Sequence, residues 1–167
     1  MDLPRHQLTM TELMMPAKAN LSGNVHGGDL LLFLDQVAYA CASRYCGHYV
    51  VTLSVDQVVF KQPIHIGELV TCLAAVNYTG STSMEVGIKV MTQNIQTHEV
   101  RHSNSCFFTM VAVNEQGKPT RITPLAPSTA QEWRRFRAAE ARRQLRRDWE
   151  SRYQAIKQDQ LASTQET

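Results

Sequence analysis

The residues best suited to chemistry lie in Asn20-Leu21-Ser22-Gly23-Asn24-Val25-His26-Gly27-Gly28-Asp29 and the apolar run that Asp35 interrupts. Two adjacent glycines ahead of a helix let the backbone approach a ligand closely. They also leave the first helical N–H groups pointing at whatever sits there. A carbonyl oxygen that becomes an oxyanion suits that place, although a plain structural turn accounts for Gly27-Gly28 equally well. Asp35 falls between Leu30–Leu34 and Val37-Ala38, where a carboxylate is costly unless paired or partly hydrated. From the residues alone two readings stay open. One is a structural carboxylate bonded to a backbone amide or facing a subunit interface; the other is a general base or nucleophile.

The elements that must position these residues follow from periodicity. HQLTMTELMM, His6 to Met15, is apolar at every second or third position and reads as a first strand. Pro16 opens the loop that carries Asn20. Asp29 to Cys46 reads as a helix of about five turns that Gly47 ends. Its apolar residues cover nearly every face, which predicts a helix enclosed on most sides. The period then changes to two. Tyr49–Phe60, Glu68–Tyr78, Ser83–Ile95 and Val100–Val113 are rich in Val, Ile, Thr and aromatics, and the short turns between them imply antiparallel neighbours. The expectation is an α+β fold in which a curved antiparallel sheet wraps one buried helix.

From Ser128 the composition shifts. Ser128 or Thr129 caps a long helix over Gln131–Ile156, rich in Arg, Ala and Glu, with Ala138, Ala141, Leu145, Trp149 and Tyr153 or Ile156 as an apolar seam. The formal charge of +2 is divided unevenly: residues 1–127 hold 8 basic and 9 acidic side chains, residues 128–167 hold 9 and 6. With 167 residues, 43% of them hydrophobic, the chain is neither collagen-like nor disordered. It has no apolar run near the length of a membrane span. Met1-Asp2-Leu3-Pro4-Arg5-His6 lacks the pattern of a secretory signal. Cys41, Cys46, Cys72 and Cys106 form no C-x-x-C pair. The expectation is a cytoplasmic protein with reduced thiols and no metal site.

The pattern N-x-x-G-x-x-x-G-G-x-x-x-x-x-x-D, made by Asn20, Gly23, Gly27, Gly28 and Asp35, resembles the signature of hotdog-fold acyl-CoA thioesterases. The closer group includes the bacterial YciA-type enzymes and the tandem-domain brain-type cytosolic acyl-CoA hydrolases. The resemblance continues through Thr52-Leu53-Ser54-Val55-Asp56, Phe60-Lys61-Gln62-Pro63-Ile64, Gly67-Glu68 and Gly80-Ser81-Thr82-Ser83-Met84-Glu85-Val86. It extends through Phe107–Val113 and Gly117-Lys118-Pro119, covering roughly residues 10–125. It implies a hotdog domain over residues 1–127 followed by a charged helix and tail over 128–167. It also implies double-hotdog homodimers with sites at their interface, commonly gathered into homohexamers.

The activity so implied is hydrolysis of fatty acyl-CoA to free acid and CoA. Asp35 would activate water or attack the thioester carbonyl directly. Asn20 would work with it across the interface, positioning water or substrate, and the N–H of Gly28, with Gly27 as neighbour, would polarise the carbonyl oxygen. A thiolate leaves easily, so a base and an oxyanion donor suffice without metal or cofactor. His26 is a further candidate at the substrate, with a loop-packing role as its alternative. For CoA the candidates are the turn Gly80, Ser81 and Ser83, together with Lys61 and Arg101 as phosphate partners. Asp56 reads as structural, and His48, His65, His98 and His102 as solvated.

Two other functions compete. A hotdog dehydratase or hydratase would pair a loop His with a helix carboxylate, as His26 and Asp35 superficially do, but the H-F-P-G and D-x-N-P-x-H motifs are missing. A nucleic-acid or acidic-partner binder would use Arg134, Arg135, Arg137, Arg142, Arg143, Arg146, Arg147 and Arg152. Glu132, Glu140, Asp148 and Glu150 interleave with these arginines, as on an ordinary solvated helix.

Overall fold

A computed structural model describes residues 3–60 and 62–165, with side chains described as far as residue 158. The chain divides into two compact units, Met1–Ala126 and Pro127–Thr167. The first contains β1 (Gln7–Leu13), α1 (Gly27–Cys46), β2 (Tyr49–Val55), β3 (Glu68–Thr79), β4 (Ser83–Asn94) and β5 (Val100–Val113). The five strands form one antiparallel sheet in the order β1-β3-β4-β5-β2. Strictly alternating residues give β3, β4 and β5 one inward face, including Val70, Cys72, Val86, Ile88, Cys106, Phe108 and Met110, and all of these are buried.

That face closes on α1, whose Leu30, Phe33, Leu34, Val37, Ala38, Cys41 and Ala42 are buried at helical spacing. Each of the larger side chains contributes about 1.5–3 kcal/mol by its removal from water. The opposite face differs from the sequence expectation of a helix enclosed on most sides. Leu31, Leu32 and Tyr39 are exposed in the single chain. The sheet covers one side of α1; on the other, the segment after β2 brings Val58 and Phe60 beside Leu31 and Leu32. Tyr49, Val51, Leu53 and Val55 on the edge strand β2 are exposed as well, and the Tyr39 and Tyr49 rings meet edge-on at 5.6 Å.

The helix starts two residues earlier than the sequence suggests because His26 caps it: its Nδ1 accepts from the Gly28 N–H at 3.0 Å. It ends at Gly47, which adopts φ 71° as a left-handed cap. Strand β2 ends at Val55, short of the expected Phe60. Its register shifts between Thr52 and Ser54, and after Asp56, whose N–H donates to the Phe107 carbonyl, the chain leaves the sheet. The Phe60 ring packs at the start of α1, where a Cβ on Gly27 would lie 3.7 Å from it.

The second unit contains α2 (Ala130–Gln165). Thr129 Oγ1 accepts from the Glu132 N–H, and the Glu132 carboxylate accepts from the N–H groups of Ser128 and Thr129, a reciprocal capping box. Leu145, Trp149, Tyr153 and Ile156 of its seam are exposed. Among the described residues no helix is long and apolar enough to cross a membrane.

Candidate active site

Asp35 is half-buried on α1. It forms part of the wall of a cleft of about 540 Å³ whose other sides are Leu31, Leu32, Val55, Asp56, Val58, Phe60 and Phe108. The register shift in β2 shapes this cleft. Thr52 and Val55 are three residues apart and would face opposite sides of a regular strand, but the extra residue turns both toward α1. Thr52 Oγ1 donates to Asp35 Oδ1 at 2.6 Å, which fixes the carboxylate, and among the described residues Oδ2 has no hydrogen-bond donor. Thr52 belongs to the sequence blocks that carry the resemblance, and its signal there is a hydroxyl in an apolar strand with a carboxylate elsewhere in the chain that needs a partner.

The loop residue Asn20 is organised by its own neighbours. Its Oδ1 accepts from the N–H groups of Ser22 at 2.9 Å and Asn24 at 3.1 Å. That double acceptance fixes the amide's orientation, so the NH₂ group is the end left to face outward. Among the described residues no hydrogen bond joins Asn20 to Asp35. Gly28 lies seven residues before Asp35 on the same helix face, about 10 Å along the axis. Its N–H is engaged by His26 rather than free as the sequence suggested. A Cβ on Gly28 would lie 3.1 Å from His26 Nδ1, so Gly28 is where the ring needs space. His26 is thus a helix cap, and among the described residues it makes no hydrogen bond to Asp35.

The residues expected to meet CoA lie on separate elements. Gly80, Ser81 and Ser83 form the β3–β4 turn, closed by the Gly80 N–H to the Ser83 carbonyl at 2.7 Å, and the Ser81 carbonyl accepts from the Ile122 N–H. Arg101 is committed within the chain. Its guanidinium donates to the buried Glu68 Oε2 at 2.7 Å and to the Pro63 carbonyl at 2.9 Å, a structural ion pair that the sequence reading of a phosphate partner did not include. A buried carboxylate requires such a partner. Lys61 lies outside the described residues. Burial pushes the thiols of Cys41, Cys72 and Cys106 up to about 12. Among the described residues no three His, Cys, Asp or Glu side chains are grouped to hold a metal ion.

A long helix wrapped by an antiparallel sheet, with a carboxylate in an apolar cleft at their junction, is the hotdog architecture. The profile of the thioesterase superfamily matches residues 22–98. Protein VdlD of Helicobacter pylori is 52% identical over 142 residues, 85% of this chain and 81% of the relative. YkhA of Bacillus subtilis, named as an uncharacterized acyl-CoA thioester hydrolase, is 32% identical over 75% of this chain and 73% of its own. The chain therefore belongs to the acyl-CoA thioester hydrolases of the thioesterase superfamily.

Solved structures agree. An apo-hexameric acyl-CoA thioesterase superposes with TM-score 0.82 at 35% identity, over 86% of this chain and 92% of that one. The acyl-CoA hydrolase of Staphylococcus aureus, solved with butyryl coenzyme A and coenzyme A, gives TM-score 0.79 at 26% identity, over 89% and 92%. Alanine variants of that enzyme are known at an asparagine, an aspartate and a threonine separated by 15 and 17 residues. Asn20, Asp35 and Thr52 stand at the same separations.

Proposed function

We propose that this chain hydrolyses fatty acyl-CoA to free acid and CoA, with Asp35 as the base that activates water. The observation that carries the reading is the Asp35 carboxylate in an apolar cleft, one oxygen held by Thr52 and the other left for water. Water bound at Oδ2 gives up a proton as its oxygen adds to the thioester carbon. The carbonyl oxygen then carries the charge, the C–S bond breaks, and the proton on Asp35 passes to the departing CoA thiolate. The apolar walls of the cleft suit an acyl chain.

The oxyanion is received by the N–H at the start of α1. His26 Nδ1 marks the acceptor position there, and the substrate oxygen replaces it. Within one chain this cannot meet Asp35. About 10 Å of axis separates them, and N–H groups of a first helical turn point away from the helix body. A reacting carbonyl carbon needs nucleophile and oxyanion donor each within about 3 Å. Asp35 of one protomer therefore works with Gly28 and Asn20 of another. The exposed apolar residues of α1 and edge strand β2 support such pairing, and hexameric structural relatives fit an assembly of these dimers. Asn20, whose NH₂ group faces outward, donates to the water or the carbonyl oxygen.

The test is thiol release from butyryl- and palmitoyl-CoA with Asp35→Asn as control. Asp35→Asn is expected to fold and assemble while losing turnover. Thiol release at near-native rate from both substrates would reject the mechanism.

A further inference from the structure

We infer that His65, anchored on the buried Glu68–Arg101 pair, is a positioning residue that fixes the Asn20 amide through Asn24. This rests on the role proposed above for Asn20. The observation is a continuous series of hydrogen bonds across three separate segments of chain. Arg101, on β5, donates to Glu68 Oε2 at 2.7 Å, and the same oxygen accepts from the His65 N–H at 2.8 Å. Glu68 is 6% exposed, so its geometry is set by packing as well as by charge. His65 Nδ1 meets Asn24 Oδ1 at 2.9 Å. Because that oxygen only accepts, Nδ1 carries the hydrogen. Asn24 and His65 are also bridged through their backbones, and the neighbouring Val25 N–H donates to the Ile64 carbonyl at 2.8 Å. From Asn24 the series reaches Asn20 twice: the Asn24 N–H donates to Asn20 Oδ1, and the Asn20 N–H donates to the Asn24 carbonyl at 2.7 Å.

The tip of the loop, Leu21, Ser22 and Gly23, is in solvent, while its far end is held by the buried Val25 and the Val25 N–H to the Ile64 carbonyl. Those backbone ties hold the end of the loop and leave the Asn24 side chain, next to the turn of Asn20, to be held by a side-chain partner. His65 supplies that partner: its ring holds Asn24, and its own backbone is held on Glu68, which Arg101 pairs from β5. A displacement of about 1 Å in a group that orients reactants is enough to cost up to 100-fold in rate, so the effect belongs on turnover and not on substrate affinity.

The experiment measures kcat and KM for butyryl-CoA with the full chain carrying His65→Ala, His65→Asn, Asn20→Ala and the His65→Ala/Asn20→Ala pair, each checked for folding by thermal melting. His65→Ala is expected to lower kcat about tenfold or more with KM little changed. His65→Asn, which keeps a donor near the Nδ1 position, should restore most of it. In the Asn20→Ala background His65→Ala should cost nothing further. An equal loss in both backgrounds, a rise in KM alone, or no loss at all would overturn the inference. If His65→Ala fails to fold, Asn24→Ala in the same two backgrounds gives the same comparison. Native activity in Asn20→Ala would instead overturn the role of Asn20 itself.

Discussion

Thr52 donates its hydroxyl hydrogen to Asp35 Oδ1 at 2.6 Å, linking the edge strand to the central helix at the carboxylate itself. Hydrogen bonds to charged groups are worth about 1.5–3 kcal/mol, and in the proposed mechanism this one decides which carboxylate oxygen meets water. Thr52→Val keeps the shape and removes the donor. Its kcat should fall about 10- to 100-fold with KM within a few-fold, while Thr52→Ser stays near native. Steady-state thiol release on the two variants checks this, and an undiminished Thr52→Val would show that the bond serves the fold alone.

Asn20 separates acceptor from donor in one side chain. Its Oδ1 holds the Ser22 and Asn24 amides, and in the proposed mechanism its NH₂ group is the donor to the reacting groups. Asn20→Asp keeps the acceptor and loses the donor. It should melt near the native temperature, whereas Asn20→Ala, which drops both loop bonds, loses about 1 kcal/mol or more. Both should lose turnover to a similar degree, about 100-fold. Activity in Asn20→Asp comparable to native would mean that the side chain only shapes its loop.

Local patterns made the helix, four of the five strands to within a few residues, and Asp35 legible in the sequence. A carboxylate in an apolar helical run has to be explained, and the glycines ahead of it mark a helix start. What stayed hidden depended on contacts between distant segments. The end of β2 is set by a register shift against β5, which no propensity records. Thr52 and His65 look ordinary until Asp35 and Asn24 are brought to them. Arg101 looked like a free cation because its partner Glu68 lies 33 residues away. The exposed face of α1 carries apolar residues indistinguishable in type from those of its buried face.

Arg101 offers a clean separation of roles. As a structural partner of Glu68, its replacement in Arg101→Gln leaves a buried carboxylate unpaired and should cost about 3 kcal/mol of stability, seen as a lower Tm. Turnover falls with it if the Asn20 loop shifts, but KM for acyl-CoA stays near native. A phosphate contact would give the opposite result: KM about tenfold higher, consistent with losing one charge-assisted bond, and Tm unchanged.

The thiols predict both reactivity and pH dependence. Cys41, Cys72 and Cys106 are buried, and desolvation raises each from 9.0 to about 12. Unfolded, these thiols ionise near 9.0; folded, they hold their protons. As pH rises above 9 the unfolded chain therefore binds fewer protons, and stability falls by up to about 1.4 kcal/mol per pH unit for each thiol until the folded value is passed. Chemical denaturation at pH 8 and pH 10 should show the midpoint dropping. A disulfide reagent at pH 8 should modify the partly exposed Cys46 in native protein and all four cysteines only after denaturation. Rapid modification of a second thiol in the native protein would show that the core opens.

The strongest test of the composite site uses two inactive chains. If Asp35 of one protomer works with Asn20 and Gly28 of another, Asp35→Asn and Asn20→Asp each damage every site of their own homodimer. In a dimer of one chain of each kind, one site carries both changes and the other carries neither. Unfolding the two variants together and refolding the mixture should give such dimers as half of the population, each with one intact site in two, and about a quarter of native activity should return. Were both residues drawn from the same chain, every site in the mixture would contain one change and activity would stay at background. Recovery that depends on refolding together, and is absent when the folded variants are mixed, would place the interface through the catalytic centre and explain why Leu31, Leu32 and edge strand β2 are apolar where a single chain leaves them in water.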